Sequence, residues 1–171
     1  METREVKLTL EEVIKFGVEL NGGVNQDALM SLEISFTEKY LLSRVNDQVQ
    51  REQKHFDKAK ESFINTHGEL DKDSGEKILR VIETQTIDGK EIPKYKNGAP
   101  IYTATGRKYN AQIQELLNRE VPIKVPTELN FEIFKDFKLK GDFTVLFKVL
   151  AVEQKEESKQ ETKAAPKKKA R

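Results

Sequence analysis

Residues 29–63, LMSLEISFTEKYLLSRVNDQVQREQKHFDKAKESF, decide how the chain is read, because from Leu42 onward they carry a seam. Leu42, Val45, Val49, Glu52, Phe56, Ala59 and Phe63 follow one another in alternating steps of three and four, the spacing at which one helix packs along another. Glu52 alone interrupts the apolar run. A carboxylate at such a position can snorkel, pair with a Lys or Arg of the facing helix, or fix register. Upstream, Leu29, Leu32, Phe36 and Tyr40 form a second stripe in another phase. The spacing therefore predicts one helix over 29–63, with Asn25 or Asp27 as its cap and a buried face that shifts near Tyr40. At about 1.5 Å of rise per residue it would be roughly 50 Å long, more than a core of this size needs, so a partner is expected along it.

Outward from that helix, Thr9 and Glu12 have the spacing of a capping box, with Leu8 and Val13 placed for a hydrophobic staple. A first helix is predicted from Leu10 to about Leu20, with Leu10, Val13, Ile14, Gly17 and Val18 inward and Asn21, Gly22 and Gly23 supplying its left-handed stop. The long helix should end near His67, where Gly68 would supply positive φ. Residues 70–102 differ in texture: Asp88 with Gly89 and Asn97 with Gly98 are type I′ hairpin pairs between short β-prone runs. They predict a two- to four-stranded antiparallel insertion, whose Pro93 and Pro100 restrict it to edges. Helicity resumes after Gly106, with Tyr109, Ile113 and Leu116 on one face, antiparallel to the second half of the long helix. Val121, Ile123 and Val125 alternate as a short edge strand, and residues 143–152 are read as a helix capped by Asp142, with Phe143, Leu146, Phe147 and Leu150 as its stripe.

The resulting fold class is α+β, mainly α: an antiparallel helical hairpin, a small antiparallel β insertion at its tip and an apolar C-terminal segment. One domain is expected over 1–152, with the insertion at 70–102 and a disordered charged tail at 153–171. Of the 171 residues, 35% are charged and 36% hydrophobic, which describes a chain with much solvated helix surface. Its mean hydropathy is −0.68, and no apolar run nears the roughly 20 residues of a membrane-spanning helix. The polar start is not that of a signal peptide. There is no cysteine, hence no disulfide or thiolate chemistry, which fits an intracellular or virion protein. The formal charge of +1 hides an asymmetry, since the tail carries +3 and the rest −2.

Motifs that carry chemistry are scarce. Asp71, Asp73 and Gly75 begin like a calcium loop, but Ile82 stands where the bidentate Glu belongs, so a polar turn is preferred. Gly98 and Gly106 before Arg107 and Lys108 are too widely spaced for a phosphate loop. His55 and His67 lack neighbours suited to metal binding or base catalysis, and no cofactor is expected. Lys167, Lys168, Lys169 and Arg171 are candidate phosphate contacts of a salt-dependent kind, but no aromatic residue interleaves them for base stacking, and a solubilising tail is preferred.

The order of elements resembles a family of small tailed-bacteriophage proteins of unassigned function: a short helix, a long charged helix, a turn-laden insertion, and a second helix leaving through a Leu-Leu-Asn-x-Glu-Val-x-Ile type exit. Here that exit is Leu116, Leu117, Asn118, Glu120, Val121 and Ile123. The resemblance covers residues 6–150 and brings no catalytic residue. The tail lies outside it. It implies a non-enzymatic phage structural or assembly protein, in the virion or host cytoplasm, acting on other virion proteins or on itself without a membrane. The alternative is a nucleic-acid-associated accessory protein using its basic tail.

Overall fold

The computed structural model describes residues 2–71 and 74–151. The expectations for the tail, including Lys167, Lys168, Lys169 and Arg171, and the role of Asp73 lie outside the described residues. Those residues form a mixed α and β fold with small antiparallel sheets and one long helix. Two compact units divide the chain: the first joins the residues up to Arg51 to those from Glu120 on, and the second is Glu52–Arg119.

In the first unit, strand β1 (Thr3–Thr9) pairs antiparallel with β8 (Glu120–Pro126). Val6 stands opposite Ile123 and Leu8 opposite Val121, so alternate residues of both strands enter the core while Glu5, Lys7 and Lys124 face out. Pro122 and Pro126 are accommodated because a two-stranded sheet consists only of edges. Helix α1 (Leu10–Asn21) starts at the expected capping box: the Thr9 hydroxyl accepts from the Glu12 N–H at 3.2 Å, and Glu12 accepts from the Thr9 N–H at 2.9 Å. It stops where Gly22, at φ +87°, donates to the Val18 carbonyl.

The buried face of α1 departs from expectation. Phe16, Glu19 and Leu20 are fully enclosed beside Leu10, Val13 and Gly17, while Val18 is 40% exposed and Ile14 only half-buried. Burying Phe16 and Leu20 contributes about 1.5–3 kcal/mol each. That gain decides the helix's rotation.

The long helix α2 (Phe36–His67) is shorter than predicted. Ser35 and Glu38 form a second capping box, with the Ser35 N–H donating to the carboxylate at 2.8 Å, and this fixes the start. Residues 29–31 are a single 3₁₀ turn, and the expected stripe does not exist: Leu29 is buried but Phe36 is 89% exposed and Tyr40 about half. Asp27, expected as the cap, instead accepts from the Lys140 N–H and donates its own N–H to the Lys140 carbonyl. Helix α4 (Thr144–Leu150) confirms a helix near the end, but Phe147 points outward, stacked on Phe131 at 4.9 Å, and Val145 and Val149 take its place in the core.

The second unit holds the rest of α2, three two-stranded ladders and helix α3 (Ala104–Leu117). The ladders are β2 (Glu69–Leu70) with β3 (Lys77–Ile78), β4 (Thr84–Ile87) with β5 (Lys90–Pro93), and β6 (Tyr95–Lys96) with β7 (Ala99–Pro100). Asp88 and Gly89, and Asn97 and Gly98, have positive φ, as type I′ turns require. Gly68 ends α2 for a different reason from the one expected. Its φ is not positive, but a Cβ there would press on the Ile64 and Ile78 carbonyls.

Candidate interaction site

The seam predicted along α2 changes character at the boundary between the units. Leu42, Val45 and Val49 are fully enclosed in the first unit's core. Glu52, Phe56, Ala59 and Phe63 belong to the second unit and are only half-buried. On α3, Tyr109, Ile113 and Leu116 are half-buried too. Not one apolar side chain between Glu52 and Arg119 is buried; Gly106 is the unit's single buried residue among those described.

What the second unit does have is a set of directed contacts. The Phe63 ring meets the Tyr109 ring at 5.2 Å and the His67 ring at 4.5 Å, both tilted, which favours edge-to-face attraction. The Lys60 ammonium lies 4.7 Å over the Phe56 ring and 2.6 Å from Asp57. Thr103 caps α3 by accepting from the Gly106 N–H at 2.8 Å, and its own N–H donates to the Val81 carbonyl at 3.0 Å. Gly106 lets residue 81 lie directly on the helix, since a Cβ would stand 2.8 Å from the Val81 Cα and carbonyl carbon. Gly106 thus serves a helix start and not a phosphate loop. Backbone bonds from Glu83 to Ile101, Lys94 to Glu83 and Ile101 to Lys94 then tie the hairpins together.

Glu52 has no ion pair among the described residues, so of its three expected roles, pairing within the chain is not the one seen. His55 is exposed, and His67 stands 3.5 Å from the Lys108 ammonium. Asp71 accepts from the Ser74 N–H at 3.0 Å and from its hydroxyl at 2.7 Å, a local polar turn.

Among the described residues the ionisable groups with displaced pKa values belong to the first unit; Lys135 is raised by its bond to Glu132, and the others, Glu12, Lys15, Glu19 and Asp142, hold α4. Glu19, fully enclosed, accepts from the Val145 N–H at 3.0 Å and the Leu146 N–H at 2.7 Å, so it caps a helix remote in sequence. Burial raises its pKa in spite of those bonds. Asp142 accepts from the Lys15 ammonium at 2.8 Å and from Thr144, which lowers it to about 2. Burial pushes Glu12 up, but the Lys148 ammonium at 2.5 Å and Thr9 outweigh it and hold it low. At the other end of α4, Arg4 donates to the Val149 carbonyl. The sequence points to Glu12 through its capping box and to Asp142 as the cap of this helix, and Asp142 does accept from the Thr144 N–H at 3.0 Å; Glu19 and Arg4 carry no such signal. Glu19 follows the buried Phe16 by three residues, which is the one hint the sequence contains.

In comparison with known proteins, no family model, no curated protein and no solved structure matches the chain.

Proposed function

We propose that the chain is a non-enzymatic protein that works through protein contacts, and that its second unit is the contacting part. The observation that carries this reading is the second unit's lack of any buried apolar side chain. Phe56, Phe63, Ile113 and Leu116 each leave part of their surface open to solvent, and a covering partner would bring each of them to the about 1.5–3 kcal/mol of full burial. In this reading α2 and α3 form an antiparallel hairpin with the β ladders at its tip. The ring contact between Phe63, late in α2, and Tyr109, early in α3, supports that direction. The short, exposed ladders offer open backbone edges beside the seam. The likeness in element order to small tailed-phage proteins points to a virion component or an assembly factor.

Replacing Phe56 and Phe63 by Asp tests it. The double variant keeps its far-ultraviolet spectrum but no longer co-purifies with the assembly that holds the wild-type protein. Undiminished co-purification would reject the seam as the contact.

A further inference from the structure

We propose that the first unit carries a phosphate-binding cleft formed by Arg44, Arg51 and Lys124. The cleft has a volume of about 420 Å³ and is lined as well by Thr3, Asp47 and Gln48. That volume falls within the usual range of small-ligand sites. All of its residues belong to one unit, so its shape does not depend on how the two units are arranged.

Arg44 and Arg51 stand two turns apart on one face of α2, with Asp47 between them. The opposite wall is β8, and one side chain sets its distance from the helix. The Gln48 amide donates to the Lys124 carbonyl at 2.8 Å and accepts from the Lys124 N–H at 3.0 Å, pairing with the strand as a neighbouring strand would. The cleft is therefore built before a ligand arrives, which removes part of the ordering cost of binding.

Three cations face one carboxylate. Among the described residues, the side chains of Arg51 and Lys124 make no ion pair, although Lys15, Lys135 and Lys148 each hold a carboxylate within 2.8 Å. The Arg51 guanidinium and the Lys124 ammonium, with Arg44 and Thr3 lining the same cleft, are a donor set suited to a phosphate group. A free phosphate compound and the backbone of a nucleic acid present that same group.

The test uses the full chain, titrated with inorganic pyrophosphate and, separately, with a labelled single-stranded DNA oligonucleotide. Arg51, Lys124 and Asp47 are all exposed, so Arg51→Gln, Lys124→Gln and Asp47→Asn should fold, and circular dichroism verifies it. Arg51→Gln and Lys124→Gln should each weaken binding about tenfold, the effect of losing one charge-assisted contact. Asp47→Asn should tighten it by removing the like charge. A control that replaces Lys167, Lys168 and Lys169 by Gln should leave pyrophosphate binding unchanged. Cleft-dependent binding of pyrophosphate alone assigns the site to free phosphates, and cleft-dependent binding of DNA, with or without pyrophosphate, to a nucleic-acid backbone. Binding that only the tail control reduces, binding indifferent to the cleft variants, or no binding of either probe overturns the proposal.

Discussion

Glu19 should be worth more to the fold than any other polar side chain, and two substitutions separate why. In Glu19→Ala the Val145 and Leu146 N–H groups lose both acceptors in a site that water does not reach. Each orphaned donor costs about 1–3 kcal/mol. Relief of a buried charge offsets part of that, leaving an expected loss of about 2–4 kcal/mol at neutral pH. Glu19→Gln keeps one acceptor and also removes the charge, so it should stay within about 1 kcal/mol of wild type. Urea unfolding followed by circular dichroism gives the ranking, and amide exchange at Val145 and Leu146 localises it to α4. If Glu19→Ala matches wild type, or Glu19→Gln is as damaging as Glu19→Ala, the carboxylate is not the cap described. The pH dependence adds a signed check. Because burial raises Glu19, its folded form takes up the proton first. Stability relative to Glu19→Gln should therefore increase as pH falls from neutral toward the ordinary value of 4.5, and be lost again as pH rises through the raised value.

Asp142 has the opposite sign: its pKa is lowered from 3.8 to about 2, so the margin of wild type over Asp142→Asn should be full above the ordinary value and vanish as pH falls to about 2, measured by acid titration of the helical signal. Gly106→Ala should destabilise the second unit by about 1–3 kcal/mol, because a Cβ presses on the backbone at Val81, and this exceeds the roughly 1 kcal/mol that Ala gains in a helix. Faster amide exchange in α3 with unchanged exchange in α1 would show it; uniform exchange would reject it. Ser35→Ala should cost about 1 kcal/mol and fray the first turn of α2, whereas Asn25→Ala should leave that turn intact.

Features set by neighbours in sequence were legible, and features set by distant ones were not. The Thr9 capping box, the Gly22 stop and the two type I′ turns each depend on a few adjacent residues, and the structure has them all. The start of α2 was misplaced because Leu29, Leu32, Phe36 and Tyr40 imitate a helical stripe. The local signal that overrides that stripe is the capping box of Ser35 with Glu38. The pairing of β1 with β8 could not be read, since it joins residues more than a hundred positions apart. Glu19 escaped for a related reason: a carboxylate on an inward face has no periodic signature, and its partners are amides near residue 145. The seam itself was legible as a spacing. Its uniform period said nothing of where the enclosing residues stop, and they stop between Val49 and Glu52.

The central claim is that the seam from Glu52 to Phe63, together with α3, is completed by another protein. Hydrogen exchange compares the isolated chain with the same chain in its native assembly. The account predicts weak protection of the amides of residues 52–67 and 104–117 in the isolated protein and strong protection in the assembly, with β1, α1 and α4 alike in both. Equal protection of the second unit in the two states would contradict it.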